Sequence, residues 1–283
     1  MMEQKQNGKN KLGIKLVALD MDGTLLNNRK EISSRNFQML NKALEKNIHI
    51  VPATGRPLCG LPKELIKNNM IKYAICSNGA SIINMETNEV IYHCRLTREK
   101  VTFIIKKLSA IDPILDVFAD GKIITEKRNF ERLDKFLIPN NMKKYIYDTR
   151  TVTDDLIEYV NKEARYIEKI NLFFKDISQR KLVREELSKI AGITITSSLN
   201  NNMEVNNEKA NKGEALLWLS RYLKLSKEQV MACGDSENDL SMLKAAGIGI
   251  AMGNASDEIK LAADYISSSN DEDGVAEAIE KYI

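Results

Sequence analysis

Apolar and polar positions follow two different grammars along this chain. Residues 14–19 form a short, nearly unbroken apolar run that stops at Asp20, the mark of a strand buried on both faces. Ser33 then precedes Phe37, Leu40, Ala43 and Leu44 at helical spacing, which predicts a helix capped by that serine. A second apolar run reaching Val51, a helix over 61–69 and a strand over 73–76 continue the alternation. Strand and helix in turn imply right-handed βαβ units and a parallel sheet. The rhythm breaks at 81–84 and 90–92, two short runs separated by a turn, which read as a hairpin leading out of that sheet.

From about 84 to 198 the pattern is different. A helix over 97–110, strands over 114–118 and 122–125, weaker patterning to about 168, then a strand over 169–174, a helix over 178–190 and a strand over 193–196 predict an antiparallel α+β insert. From Met203 the βα rhythm returns, with helices over 212–224, 237–246, 257–263 and from 274 to the end. No apolar stretch approaches the ~20 residues of a membrane span. The opening residues 1–11 are polar, without an apolar signal core, and are expected to be a disordered tail. A cytoplasmic protein without membrane contact is the expectation.

Charge matters only when divided by segment. Residues 1–83 carry 13 Lys/Arg against 6 Asp/Glu, 84–198 carry 21 against 18, and 199–283 carry 8 against 15. The outer segments are therefore opposite in sign and cancel if they form one domain, leaving no strongly basic face for nucleic acid. The 4 cysteines lack any metal-ligand spacing and read as small buried hydrophobes in a reducing compartment. With 2 histidines, of which His49 lies inside a strand pattern, a Ser-His-Asp machine is not expected.

Candidate chemistry concentrates where strands end. Asp20-Met21-Asp22-Gly23-Thr24 places two carboxylates two residues apart just beyond the first strand, and such a pair repels unless a cation or proton neutralises it. Gly23 lets the chain turn away, so that both acids can point into a pocket at the carboxyl end of the sheet. Val51-Pro52-Ala53-Thr54-Gly55-Arg56 follows the second strand, Ala210-Asn211-Lys212-Gly213 opens a helix, and Gly234-Asp235-Ser236-Glu237-Asn238-Asp239 follows a third strand over 230–233. The glycine-rich stretch 247–253 lacks the spacing and the position of a dinucleotide fingerprint.

Acid pair, hydroxyl, lysine and second acid cluster, in that order, resemble the four motifs of the haloacid dehalogenase (HAD) superfamily of phosphohydrolases. Ser77-Asn78-Gly79-Ala80 and Gly249-Ile250-Ala251-Met252-Gly253-Asn254-Ala255 extend the resemblance to the Cof-type branch, whose members carry a large class IIB cap. The resemblance implies an α/β fold: a doubly wound parallel-sheet, Rossmann-like core over 12–83 and 199–283, with an inserted α+β cap over 84–198 that governs substrate choice. It implies Asp20 as nucleophile and Asp22 as general acid and base. Asp20, Asp235 and the main-chain carbonyl of Asp22 would hold Mg²⁺, a cation suited to an all-oxygen shell.

Thr54, Gly55, Lys212, Asn238 and Met21 are the expected phosphate contacts, with Lys212 also supplying charge to the nucleophile. Asp239 lies one helical turn beyond Asp235, where it either supports the metal site or complements a helix N-terminus. The implied reaction is hydrolysis of a small phosphorylated metabolite through an aspartyl phosphate. A sugar phosphate is expected first, then a nucleotide or flavin phosphate. A phosphomutase and an inactive phospho-ligand-binding regulator are the alternatives. Because no residue assigned to chemistry falls in 84–198, chemistry and selectivity are expected to be separable, with a capless core still hydrolysing p-nitrophenyl phosphate slowly.

Overall fold

The computed structural model describes residues 13–67, 69–136, 138, 140–197 and 201–283, so the expectation for 1–11 lies outside the described residues. The chain forms two compact units. One comprises residues 13–52, Met70–Tyr73 and Leu216–Ile283; the other comprises Ala53–Asn69 and Ala74–Ala215.

The first unit is built on a five-stranded parallel sheet. Strand β1 (Leu16–Leu19), whose four residues are all buried, lies second from one edge of that sheet. Helix α1 (Ser34–Glu45) leads from β1 to strand β2 (His49–Pro52), which pairs with one edge of β1. The other edge of β1 pairs with Val230–Gly234, and beyond it lie Ile248–Ala251 and Tyr265–Ile266. The chain thus moves away from β1 in one direction through α1, and in the other through the helices Leu240–Ala245 and Asp257–Ala262. Right-handed crossovers running in opposite directions put their helices on opposite faces, which makes the sheet doubly wound. The order reverses between β1 and Val230–Gly234, and open α/β sheets bind ligands in the crevice at such a reversal.

The Ser33 hydroxyl accepts from the Asn36 amide at 3.1 Å and caps α1 as predicted. The buried face is Asn36, Met39, Leu40 and Ala43, with Phe37 and Leu44 only half-buried. Asn36 explains the shift, because its Oδ1 accepts from the amide of Ala276 on the helix Gly274–Tyr282, which packs against α1.

The second unit carries a six-stranded sheet in the order Ile193–Thr196, Asn202–Asn207, Ile167–Phe173, Ile114–Ala119, Lys122–Glu126, Arg150–Thr153. All neighbours are antiparallel except the last pair, which is parallel. One face packs a core that includes Val117, Ile170, Leu172 and Val205 against Val101 and Ile104 of the helix Arg98–Leu108, Val160 of Leu156–Lys162 and Val183 of Ile177–Leu187. The expected hairpin is present as Ser81–Asn84 paired with Glu89–His93.

Three sequence expectations change. The strand at Met203 pairs with Ile167–Phe173 in this mixed sheet, and does not resume the parallel one. The stretch of weak patterning holds the helices Lys127–Glu131, Asn140–Thr149 and Leu156–Lys162 and the strand Arg150–Thr153. Of the cysteines, Cys76 and Cys233 are buried, whereas Cys94 is half-buried and Cys59 is exposed.

Candidate active site

The acid motif grows out of β1 by one more rung of the ladder. The Asp20 amide donates to the Cys233 carbonyl at 3.1 Å, carrying the parallel pairing to the end of the strand. The chain then folds back at once. The Asp20 carbonyl accepts from the Leu25 amide at 3.2 Å and the Met21 carbonyl from the Leu26 amide at 2.8 Å. Gly23 makes this loop possible in two ways. Its φ is +89°, a region that favours glycine, and a Cβ there would stand 2.5 Å from Oδ2 of Asp235. The Asn254 and Asn270 side-chain amides hold the outside of the loop, donating to the carbonyls of Gly23 at 2.8 Å and Leu26 at 3.0 Å.

Asp235 follows the neighbouring strand on the other side of the order reversal. Its Oδ1 accepts from the Thr24 hydroxyl at 2.9 Å and its Oδ2 from the Ser236 hydroxyl at 3.1 Å. Asp239 is fully buried and accepts the amides of Asp235 and Ser236, each at 3.0 Å, within a capping box that starts the following helical turns. Gly234 has no room for a side chain, because a Cβ would fall 2.4 Å from the Cβ of Asp239. Carboxylate oxygens of Asp20, Asp235 and Asp239 lie within 4.8 Å of one another. Two of these groups, Asp20 and Asp239, are buried.

Three carboxylates this close, with little water to screen them, are unfavourable unless a cation joins them. Oxygen donors alone fit a hard cation of the Mg²⁺ kind. Asp239 therefore serves the helix start and the acid group together. Asp22, two residues beyond Asp20, is not one of the trio; it is half-buried, with Lys30 Nζ at 2.8 Å from its Oδ1. Asn238 lies half-buried in the turn Glu237–Asp239.

The second unit gathers the remaining candidates. Thr54 is buried between strands: its amide donates to the Ile75 carbonyl at 2.9 Å and its carbonyl accepts from the Asn78 amide at 3.0 Å. Its Oγ1 accepts from the Arg56 amide at 3.1 Å, which leaves the hydroxyl proton to donate. Ser77, Asn78 and Gly79 all have positive φ, and a Cβ on Gly79 would meet the Asn211 carbonyl at 2.2 Å and the Lys212 amide at 3.1 Å. This turn is thus packed against the start of the helix Lys212–Tyr222. There Asn211 Oδ1 accepts the Glu214 amide at 2.8 Å as N-cap, and Lys212 is fully buried. Sequence reasoning missed the partners that aim these residues: Thr24 on Asp235, Lys30 on Asp22, and Lys169, whose Nζ donates to the Gly55 carbonyl at 2.8 Å. Only Thr24 lies inside a motif, so only it carried a signal.

A carboxylate group at the switch point of a Rossmann-like sheet, together with an inserted α+β cap, defines a class of α/β hydrolase. Residues 17–279 match the haloacid dehalogenase-like hydrolase family, and the chain belongs to it. Over 270 residues it is 33% identical to the 5-amino-6-(5-phospho-D-ribitylamino)uracil phosphatase YcsE of Bacillus subtilis (strain 168), covering 95% of this chain and 96% of the relative. Phosphatase YwpJ of the same organism is 32% identical over 282 residues, covering 93% and 98%. Among solved structures, a haloacid dehalogenase-like hydrolase from Bacteroides thetaiotaomicron superposes with a TM-score of 0.83 at 33% identity, over 95% of this chain and 100% of that one. A HAD subclass IIB sugar phosphatase superposes with a TM-score of 0.78 at 26% identity, over 95% and 98%. The chain is a Cof-type phosphatase of this family. Among the described residues no helix is long and apolar enough to cross a membrane.

Proposed function

We propose that this protein is a cytoplasmic, Mg²⁺-dependent phosphomonoesterase acting on a small phosphorylated metabolite through an aspartyl phosphate. The observation that carries the reading is the group of Asp20, Asp235 and Asp239 at the strand-order reversal, with Asp22 two residues beyond Asp20 in the same loop. Asp20, Asp235 and the Asp22 carbonyl would hold Mg²⁺, which would supply neutralising charge to the phosphoryl oxygens. The Asp20 carboxylate attacks phosphorus as the ester bond to the leaving oxygen breaks, and protonated Asp22 gives that oxygen its proton. Asp22 then takes a proton from water. The water oxygen bonds to phosphorus, the bond to Asp20 breaks, and inorganic phosphate leaves. By resemblance to the family, Met21, Thr54, Gly55, Asn238 and Lys212 would meet the phosphoryl oxygens, and Asp239 fixes the Asp235 loop by accepting the Asp235 amide.

In this reading residues 12–83 and 199–283 are the catalytic part and 84–198 the cap that selects substrate. A sugar phosphate or a phosphorylated polyol chain is the first substrate class. The sugar phosphatase among the similar structures and the phosphoribityl compound in the name of a relative both support it. Nucleotide phosphates come next.

The test is phosphate release from p-nitrophenyl phosphate and a panel of phosphorylated sugars, polyols and nucleotides. Turnover should require Mg²⁺, stop with chelator and vanish in a folded Asp20→Asn protein, whose carboxamide does not attack phosphorus. Near-normal kcat in that variant would overturn the covalent mechanism. Isomerised sugar phosphate without free phosphate would select a mutase instead.

A further inference from the structure

A buried lysine in the cap sheet reaches the loop that carries Thr54. The strand Ile167–Phe173 and its neighbour Asn202–Asn207 are antiparallel, with Lys169 opposite Asn206 and Asn171 opposite Glu204. Lys169 and Glu204 are thus diagonal neighbours on one face, and their side chains pair at 3.1 Å. The lysine is 2% exposed, and its ammonium sits 4.5 Å from the centre of the Phe118 ring. From there Nζ donates to the Gly55 carbonyl at 2.8 Å. Glu204 uses its other oxygen to accept the Asn78 side-chain amide at 2.8 Å, and the Asn78 backbone amide donates to the Thr54 carbonyl at 3.0 Å.

Burying an ammonium is costly, and a buried ion pair is often no better for stability than apolar residues of the same volume. What the charge accomplishes here is directional. The peptide between Gly55 and Arg56 is planar and trans, so its carbonyl and its amide point opposite ways. Lys169 holds the carbonyl end, and the amide end donates to Thr54 Oγ1 at 3.1 Å. A cation on the carbonyl polarises the amide, and the amide polarises the hydroxyl, since hydrogen bonds in series strengthen one another in a low dielectric. The Thr54 oxygen then has a lone pair occupied, and its proton is directed away from the loop. Asn78, fixed through Glu204, holds the Thr54 carbonyl, so the residue is gripped at backbone and side chain alike.

We propose that Lys169, backed by Glu204, is a positioning residue that orients the Gly55–Arg56 peptide and thereby aims and strengthens the Thr54 hydroxyl as a hydrogen-bond donor. That this donor meets a phosphoryl oxygen rests on the function proposed above. The grip itself does not.

The experiment is a double-mutant cycle in the full chain, Lys169→Met with Thr54→Val, measuring kcat and KM for p-nitrophenyl phosphate beside hydrogen exchange of the Arg56 and Asn78 amides. Removing a preorganised donor typically costs ~10²–10³-fold in kcat, so weakening one should cost about 10–10²-fold. Lys169→Met should lose that much in the wild-type background and under about threefold in the Thr54→Val background, because the lysine acts through the hydroxyl. Lys169→Gln, which keeps a neutral donor for the Gly55 carbonyl, should recover part of the loss and replaces Lys169→Met in the cycle if the methionine protein does not fold. The Arg56 amide should exchange about tenfold faster in either variant, by loss of its ordered acceptor geometry. Equal losses in both Thr54 backgrounds, or unchanged Arg56 exchange in a folded variant, would overturn the proposal. A wild-type protein that releases no phosphate would refute the functional reading alone, and the exchange measurement would then decide the positioning role.

Discussion

Gly23 shows how much of the acid site hangs on a residue with no side chain. Any Cβ there would sit 2.5 Å from Oδ2 of Asp235, and the backbone φ of +89° is already unfavourable for an L side chain. Gly23→Ala must therefore move either the Asp20 loop or the Asp235 carboxylate. The expected result is a loss of about 10²-fold or more in kcat and a stability loss of ~1–3 kcal/mol, from backbone strain together with the displaced contact. Thermal unfolding and p-nitrophenyl phosphate kinetics on the same preparation check it, and an alanine protein within threefold of wild-type kcat would mean that the close approach is not needed. The motifs made Asp20, Asp22 and Asp235 legible from the sequence, because short spacings at strand ends survive without knowledge of packing. The contact between Gly23 and Asp235 was not legible, since residues so far apart in the chain meet only through the register of Leu19 with Cys233. Asp239 was open between metal support and helix capping; the structure shows the capping box, with the same side chain close to the carboxylates of Asp20 and Asp235.

At the scale of one element, the strand Ile167–Phe173 is the least legible part of the second unit. The apolar pattern predicts a strand only over 169–174, and charged side chains such as Glu168 and Lys169 are ordinarily solvated. All seven residues are buried instead. Glu168 accepts the hydroxyls of Ser77 and Ser81, each at 2.8 Å, while Lys169 serves Gly55 and Glu204. The strand therefore holds the 77–81 turn and the Thr54 loop with adjacent charged residues.

Burial pushes the Glu168 carboxyl above its ordinary value of about 4.5, and the two serine hydroxyls and Lys169 only partly oppose that. A carboxyl raised in the folded state binds its proton more tightly there than when unfolded. Its stability contribution is full below about pH 4.5 and is lost as pH rises through the folded value. Glu168→Gln removes this titration while keeping an acceptor and a donor for the serines. The unfolding temperature of the variant minus that of the wild type should accordingly become more positive from about pH 4.5 to pH 7. A difference that stays flat or falls over that range would mean that the carboxylate is better solvated than its burial implies.

Across the chain as a whole, βα alternation and an α+β insert are both legible in the hydrophobic pattern, whereas the pairing of residues 202–207 is not. The returning βα rhythm from Met203 groups residues 202–207 with the parallel core. The chain instead uses them as an inner strand of the six-stranded sheet, between Ile193–Thr196 and Ile167–Phe173. Likewise 53–69 and 74–83 precede the insert yet pack within the second unit. From these contacts we expect that 84–198 cannot be cut away without disturbing the loops of the proposed chemistry. Deleting it would strip both neighbours from Asn202–Asn207, leave the buried Glu204 without Lys169, and take the ammonium from the Gly55 carbonyl. It would also remove the partner of Ser77 and Ser81. A protein in which a short linker replaces 84–198 should be insoluble or should expose apolar surface, and any soluble fraction should hydrolyse p-nitrophenyl phosphate at least about 10²-fold more slowly than the full chain. That margin is what loss of a preorganised donor alone would give. Size-exclusion chromatography, binding of an apolar dye and kinetics with saturating Mg²⁺ measure the three quantities. A monomeric, cooperatively unfolding deletion protein with turnover within tenfold of the full chain would show that the Thr54 loop and the 77–81 turn hold their geometry without the cap strand, and would return the division of labour to the simple one that the motifs suggest.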